Sequence, residues 1–184
     1  MGLRDRRADR REERETFGRG GDARRYQMRE RMLAIGDDFW IEDDSGERAF
    51  HVDGKALRVR KTFHLNDLEG QTLCTIQERK VRVRDSMEIE GPDGDRMALV
   101  RKALVSPLRQ RFKIEVADGP DLEAQGNIVD HEYEIEADGS QVASVSKKWF
   151  RVRDTYGVEI APDQNTALLL AVTVAIDDLG HPDE

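Results

Sequence analysis

The sequence predicts a mainly β domain: a closed barrel of about twelve short strands around one buried helix near the carboxyl end. Three observations carry the prediction. From Tyr26 onward apolar and polar residues alternate with period two, interrupted about every ten residues by Gly, Asp and Pro. One strand pattern recurs at fixed distances from turn glycines. After Pro162 comes a stretch that is apolar on every side and yet too short to cross a bilayer.

The 184 residues suit one domain with a tail rather than two domains. Residues 1–25 form the tail. They hold nine arginines against six acids, with Leu3 and Phe17 as the large apolar residues. Burial on that scale cannot offset an ordering cost of about 1–2 kcal/mol per residue, so the segment is expected to be a disordered, charged leader. The interleaved acids dilute its positive field, and the net charge of -8 makes nucleic acid an unlikely partner. The folded domain is then expected over residues 26–180, with 181–184 as a short carboxyl tail.

The strands are bounded by turn signals: Asp43-Asp44-Ser45-Gly46, Asp53-Gly54, Asp67-Leu68-Glu69-Gly70, Pro92-Asp93-Gly94, Asp118-Gly119-Pro120 and Asp138-Gly139. Counting from Gly46, Gly70 and Gly139, an aliphatic residue stands six positions on (Val52, Ile76, Val145). The opening residue of an apolar-Arg-apolar-Arg strand follows at eleven (Leu57, Val81, Phe150). From Gly94 the aliphatic residue is Val100, and the arginine strand arrives three residues late, after Ser106-Pro107.

Each copy puts two arginines on one strand face and the apolar residues on the other. Arg58 and Arg60, Arg82 and Arg84, Arg109 and Arg111, and Arg151 and Arg153 are therefore candidate anion-binding residues. A guanidinium offers oxyanions a planar fork of donors. The competing reading pairs the same arginines with acids of neighbouring strands, at about 0–1 kcal/mol per exposed pair.

The helix is expected from Asn165 to Leu179, with Asp163 as N-cap and Gly180 as C-cap. Leu168, Leu169, Leu170, Val172, Val174 and Ile176 form its core set, and a helix with no polar stripe must be enclosed by protein. A sheet curled around it does this and closes the sheet's own edges.

Several ordered motifs then resemble the LURP-one-related family, in its bacterial branch. They are Met28-Arg29-Glu30-Arg31 leading to Gly36-Asp37-Asp38-Phe39-Trp40-Ile41, then Val52-Asp53-Gly54-Lys55, Gly126-Asn127-Ile128 with Glu132-Tyr133-Glu134-Ile135, Val145-Ser146-Lys147-Lys148-Trp149, and Asp154-Thr155-Tyr156-Gly157-Val158. The resemblance spans about Tyr26 to Leu179. It implies the tubby-like fold, a twelve-stranded barrel around a hydrophobic helix, with phospholipid scramblases as relatives. Tubby-like relatives imply phosphoinositide binding and membrane tethering, and plant relatives imply a part in defence. None of the relatives' lipid-binding motifs is matched here, so no ligand residues carry over.

Catalytic and metal patterns are not legible, and no cofactor is predicted. His51, His64, His131 and His181 are scattered, and Asp130-His131-Glu132 would turn successive side chains to opposite strand faces. Ser144 and Ser146 lack a nucleophile elbow. The lone Cys74, in a strand, reads as a small buried side chain, and with no apolar leader it suggests a reducing, cytoplasmic setting. Trp40, Trp149 and Tyr156 read as barrel wall rather than ligand cleft. Asp37-Asp38 and Asp43-Asp44 lack the spaced ligands of a calcium loop. The reading is a non-catalytic binding or tethering module without a membrane span. Its partner would be an anionic lipid headgroup or another anion. The alternatives are a protein-interaction scaffold and an enzyme with a carboxylate cleft.

Overall fold

The computed structural model describes residues 22–29, 38–54, 60–81, 84–103, 110–149 and 155–181. These residues form twelve strands: β1 (Arg24–Arg29), β2 (Phe39–Asp43), β3 (Arg48–Gly54), β4 (Thr62–Asn66), β5 (Thr72–Val81), β6 (Arg84–Glu90), β7 (Arg96–Ala103), β8 (Gln110–Val116), β9 (Leu122–Asn127), β10 (Glu132–Ala137), β11 (Ser140–Ser146) and β12 (Thr155–Ile160). Each strand pairs antiparallel with the next, and β1 closes the barrel on β12, from Arg24 opposite Ile160 to Arg29 opposite Thr155. The expected mainly β, closed twelve-stranded barrel is thus the observed fold. β1 begins at Arg24, two residues inside the segment that composition sets apart as tail.

Alternation decides what faces inward. The aliphatic residues six positions after the turn glycines, Val52, Ile76, Val100 and Val145, are all buried, while Arg101, Lys113 and Glu115 on intervening positions are exposed. An apolar interior with a charged exterior is the reverse of a barrel built to face lipid. No described helix is long and apolar enough to cross a membrane.

The helix α1 (Thr166–Gly180) fills the interior. Its N-cap is Asn165, whose Oδ1 accepts from the Leu168 amide at 3.1 Å, and not Asp163. Leu169, Leu170, Val172, Val174 and Ile176 are buried, whereas Leu168, in the first turn, is only partly covered. At about 1.5–3 kcal/mol per side chain, the five buried residues contribute on the order of 10 kcal/mol before entropy, an upper bound.

An up-and-down barrel has two rims of different construction. At one rim lie the turns joining β2 to β3, β4 to β5, β6 to β7, β8 to β9 and β10 to β11. Three of them share one hydrogen-bond pattern. In the first, the Asp43 amide donates to Glu47 O and the Gly46 amide to Asp43 O; Asp67 with Gln71 and Gly70, and Gly91 with Asp95 and Gly94, repeat it. Gly46, Gly70 and Gly94 have φ of +83°, +81° and +82°, which side chains rarely adopt. Asp43 Oδ1 accepts from the Ser45 and Glu47 amides and from the Ser45 hydroxyl. The Ser45 hydrogen bond leads the effects that hold this carboxyl below its ordinary range. Asp43 is therefore occupied as a turn brace. The Asp53-Gly54 turn signal is not realised, because β3 runs through it, with Asp53 opposite His64 and Gly54 opposite Phe63.

Candidate functional site

The opposite rim carries the connections from β1 to β2, β3 to β4, β5 to β6, β7 to β8, β9 to β10 and β11 to β12. It is also where α1 ends, since the helix enters after β12 at the turn rim and runs the length of the barrel. Here the interior stops being apolar.

The approach of α1 to this rim depends on Gly180. It is the last helical residue, with His181 as the C-cap, so it does not serve as the cap its sequence position suggests. A Cβ on Gly180 would stand 2.7 Å from Ile128 Cγ2, so only glycine lets the helix end lie against the β9–β10 connection. His131 stands on that connection with φ of 51° and is buried.

Two carboxylates occupy the last turn of α1. Asp177 and Asp178 are 5% and 6% exposed, at the helix end where the dipole disfavours negative charge. Asp178 has a cation, with Lys61 Nζ 3.2 Å from its Oδ1. The polar neighbours of Asp177 among the described residues are a phenol and two imidazoles, and the imidazoles carry charge only when protonated. Tyr156 donates its hydroxyl to Oδ2 at 2.8 Å. His131 Nε2 lies 2.7 Å from Oδ1, and His181 Nδ1 lies 4.0 Å from the same oxygen. The His131 contact lacks hydrogen-bond alignment, so Asp177 Oδ1 is buried without a hydrogen-bond partner; His131 Nδ1, on the other side of the ring, is also buried without one. His131 stacks on Tyr156 at 4.2 Å and lies 5.2 Å from the near-parallel His181 ring. His181, half-exposed, reaches Val129 O with Nε2 at 3.2 Å and Asp177 O with Nδ1 at 3.1 Å. Burial pushes the nearby Tyr133 hydroxyl well above its ordinary range, and the Asp177 carboxylate adds to the effect.

The described members of the arginine copies stand at strand starts on this same rim: Arg60 two residues before β4, Arg84 as the first residue of β6 and Arg111 as the second of β8. Arg58, Arg82, Arg109, Arg151 and Arg153 lie outside the described residues, and of Arg84 only the backbone, at the start of β6, is described. Arg60 is exposed. Arg111, on β8, holds Glu123 of β9 at 3.0 Å, with both side chains more than a third exposed. The same cross-strand pairing joins Arg79 to Glu88 and Arg101 to Glu115.

The remaining candidates disperse. Trp40 is on the outer wall, with Arg48 Cζ 4.5 Å from its ring centre and His51 beside it; Trp149 is exposed; Tyr156 is fully buried. Ser146 Oγ donates to Glu132. Cys74 is buried, and desolvation raises its thiol to about 11, so it is protonated at neutral pH.

The His131, Asp177, His181 grouping was not legible from spacing. His131 and Asp177 come from a strand connection and a helix end far apart in the chain. The available signal was Asp177-Asp178 at the end of an otherwise apolar helix, where two buried acids call for cations.

A family model described as LURP-one-related matches residues 24–177. No curated protein matches the chain by sequence. A protein from Arabidopsis thaliana with an X-ray structure is similar in fold, with a TM-score of 0.64 at 16% identity, covering 86% of this chain and 91% of its own.

Proposed function

The chain belongs to the LURP-one-related family, and from that premise we propose that it is a non-catalytic, cytoplasmic binding or tethering module for anionic ligands of the phosphate-headgroup type. The observation that supports it is strand order. Connections of one parity share a rim, so the starts of β4, β6, β8 and β12 lie at one end of the barrel, and the sequence would bring the arginine copies beside them to that end. A guanidinium cluster there would attract an anion that the net charge of -8 otherwise repels. The kinship with tubby-like and scramblase barrels that the motifs imply points the same way.

The test is sedimentation with vesicles of neutral lipid alone and of neutral lipid with acidic lipid. The protein should pellet with the acidic vesicles, and less so as salt rises. Charge reversal at Arg60 together with Arg84 should reduce pelleting several-fold. Equal pelleting with both vesicle types, or none, rejects the reading.

A further inference from the structure

We propose that His131, Asp177 and His181 form a binding site for one divalent transition-metal ion of the zinc type, closing the helix end onto the β9–β10 connection. The three residues offer one ligand atom each, all within 4.8 Å of one another. Two imidazole nitrogens and one carboxylate oxygen are a set that zinc and its neighbours accept, leaving a fourth position for water.

Four observations on these side chains point to a cation. First, Asp177 Oδ1 is a buried polar atom without a hydrogen-bond partner, on a side chain more than nine-tenths buried. Buried polar groups are nearly always satisfied, so the orphaned oxygen marks a missing neighbour.

Second, the 2.7 Å approach of His131 Nε2 to Asp177 Oδ1 is close without being aligned as a hydrogen bond. Neighbouring ligands of one ion have that relation, because both lone pairs aim at the metal. With bonds of about 2.0–2.1 Å, tetrahedral ligand atoms lie roughly 3.3 Å apart. The observed 2.7 Å and 4.0 Å separations to Oδ1 fall on either side of that spacing, and rotation of the near-parallel imidazoles would turn both lone pairs toward one ion.

Third, the charges suit it. Asp177 and Asp178 sit together at the negative end of α1, where Lys61 faces Asp178, and an ion held by Asp177 and two imidazoles would bring positive charge to Asp177 as well.

Fourth, the supports are in place. Tyr156 donates to Asp177 Oδ2 and stacks on His131, which fixes both residues and leaves Oδ1 for the ion. His181 is the exposed member and gives an entry path.

The experiment uses the full chain, freed of metal by chelation and then titrated with Zn²⁺ or with Co²⁺. One ion per chain should bind with an affinity of about 10 µM or tighter. Zn²⁺ in hundredfold excess over its dissociation constant should raise the melting temperature by several degrees. Co²⁺ should develop the visible absorption of a four-coordinate site.

His181→Ala removes a half-exposed ring whose other contacts are hydrogen bonds to the Val129 and Asp177 carbonyls, and should weaken binding at least tenfold. Asp177→Asn should do the same while keeping an oxygen for Tyr156. His51→Ala, on the outer wall, should change nothing. The proposal is overturned if the wild-type chain takes up no stoichiometric ion below about 100 µM, or if His181→Ala and Asp177→Asn bind as the wild type does.

Discussion

The two rims of the barrel are built on different principles. At the turn rim three of the connections are short hairpins that carry their own instructions: an aspartate or glycine to start, a glycine at φ near +80°, and backbone hydrogen bonds closing within five residues. At the opposite rim the chain is positioned by what α1 brings there. His131, Tyr156, Lys61 and the two aspartates come from four separate elements or connections, and their contacts exist only once the barrel is closed. The lesson is that a repeat can fix one end of a barrel locally while leaving the other end free to acquire buried charge, and with it chemistry.

The largest expected effect comes from the helix that joins the two rims. Val172→Asp should abolish folding, because a buried charge with no partner costs several kcal/mol against a total stability of about 5–15 kcal/mol. Far-UV circular dichroism would check it, and a native-like cooperative melt would show that α1 is not what holds the rims in register.

The same substitution at a glycine of each rim sharpens the contrast. Gly126, in β9 beside the site, has φ of +145°, and a Cβ there would meet Glu132 O at 2.5 Å and Tyr133 Cα at 2.7 Å. Backbone cannot move aside cheaply, so Gly126→Ala should cost about 3 kcal/mol or more. Gly70, in a turn, has φ of +81° with nothing within 4 Å of a Cβ, so Gly70→Ala should cost only the conformational penalty, about 1–2 kcal/mol. Urea melts of the two variants measure the difference. Equal losses would erase the distinction between locally and globally determined rims.

The smallest effect concerns the amino-terminal residues, and it separates the barrel from what precedes it. Removing residues 1–21 should leave the melting temperature within a few degrees, since they hold little apolar surface. Extending the deletion through Arg25 should cost more. Arg24 donates to Thr166 Oγ1 at 2.7 Å, and Arg25 pairs with the buried Glu159 of β12. A scanning-calorimetry series over the two deletions would show where the domain begins.

The sequence by itself determined the closed barrel and its central helix. Alternation, turn chemistry and the glycine-anchored repeat are short-range signals, and each is written in consecutive residues: Asp67 to Gly70 makes its turn wherever it stands, and Leu169 to Ile176 is apolar on all sides without reference to any neighbour. Only the tertiary structure decided that His131 would meet Asp177, that Lys61 would neutralise Asp178, and that the starts of β4, β6, β8 and β12 would share a rim with them. Those pairings span long stretches of chain. They depend on the parity of strand connections and on a glycine at position 180 that lets the helix end approach Ile128, and no local pattern encodes a distance between two elements that meet only when the barrel closes.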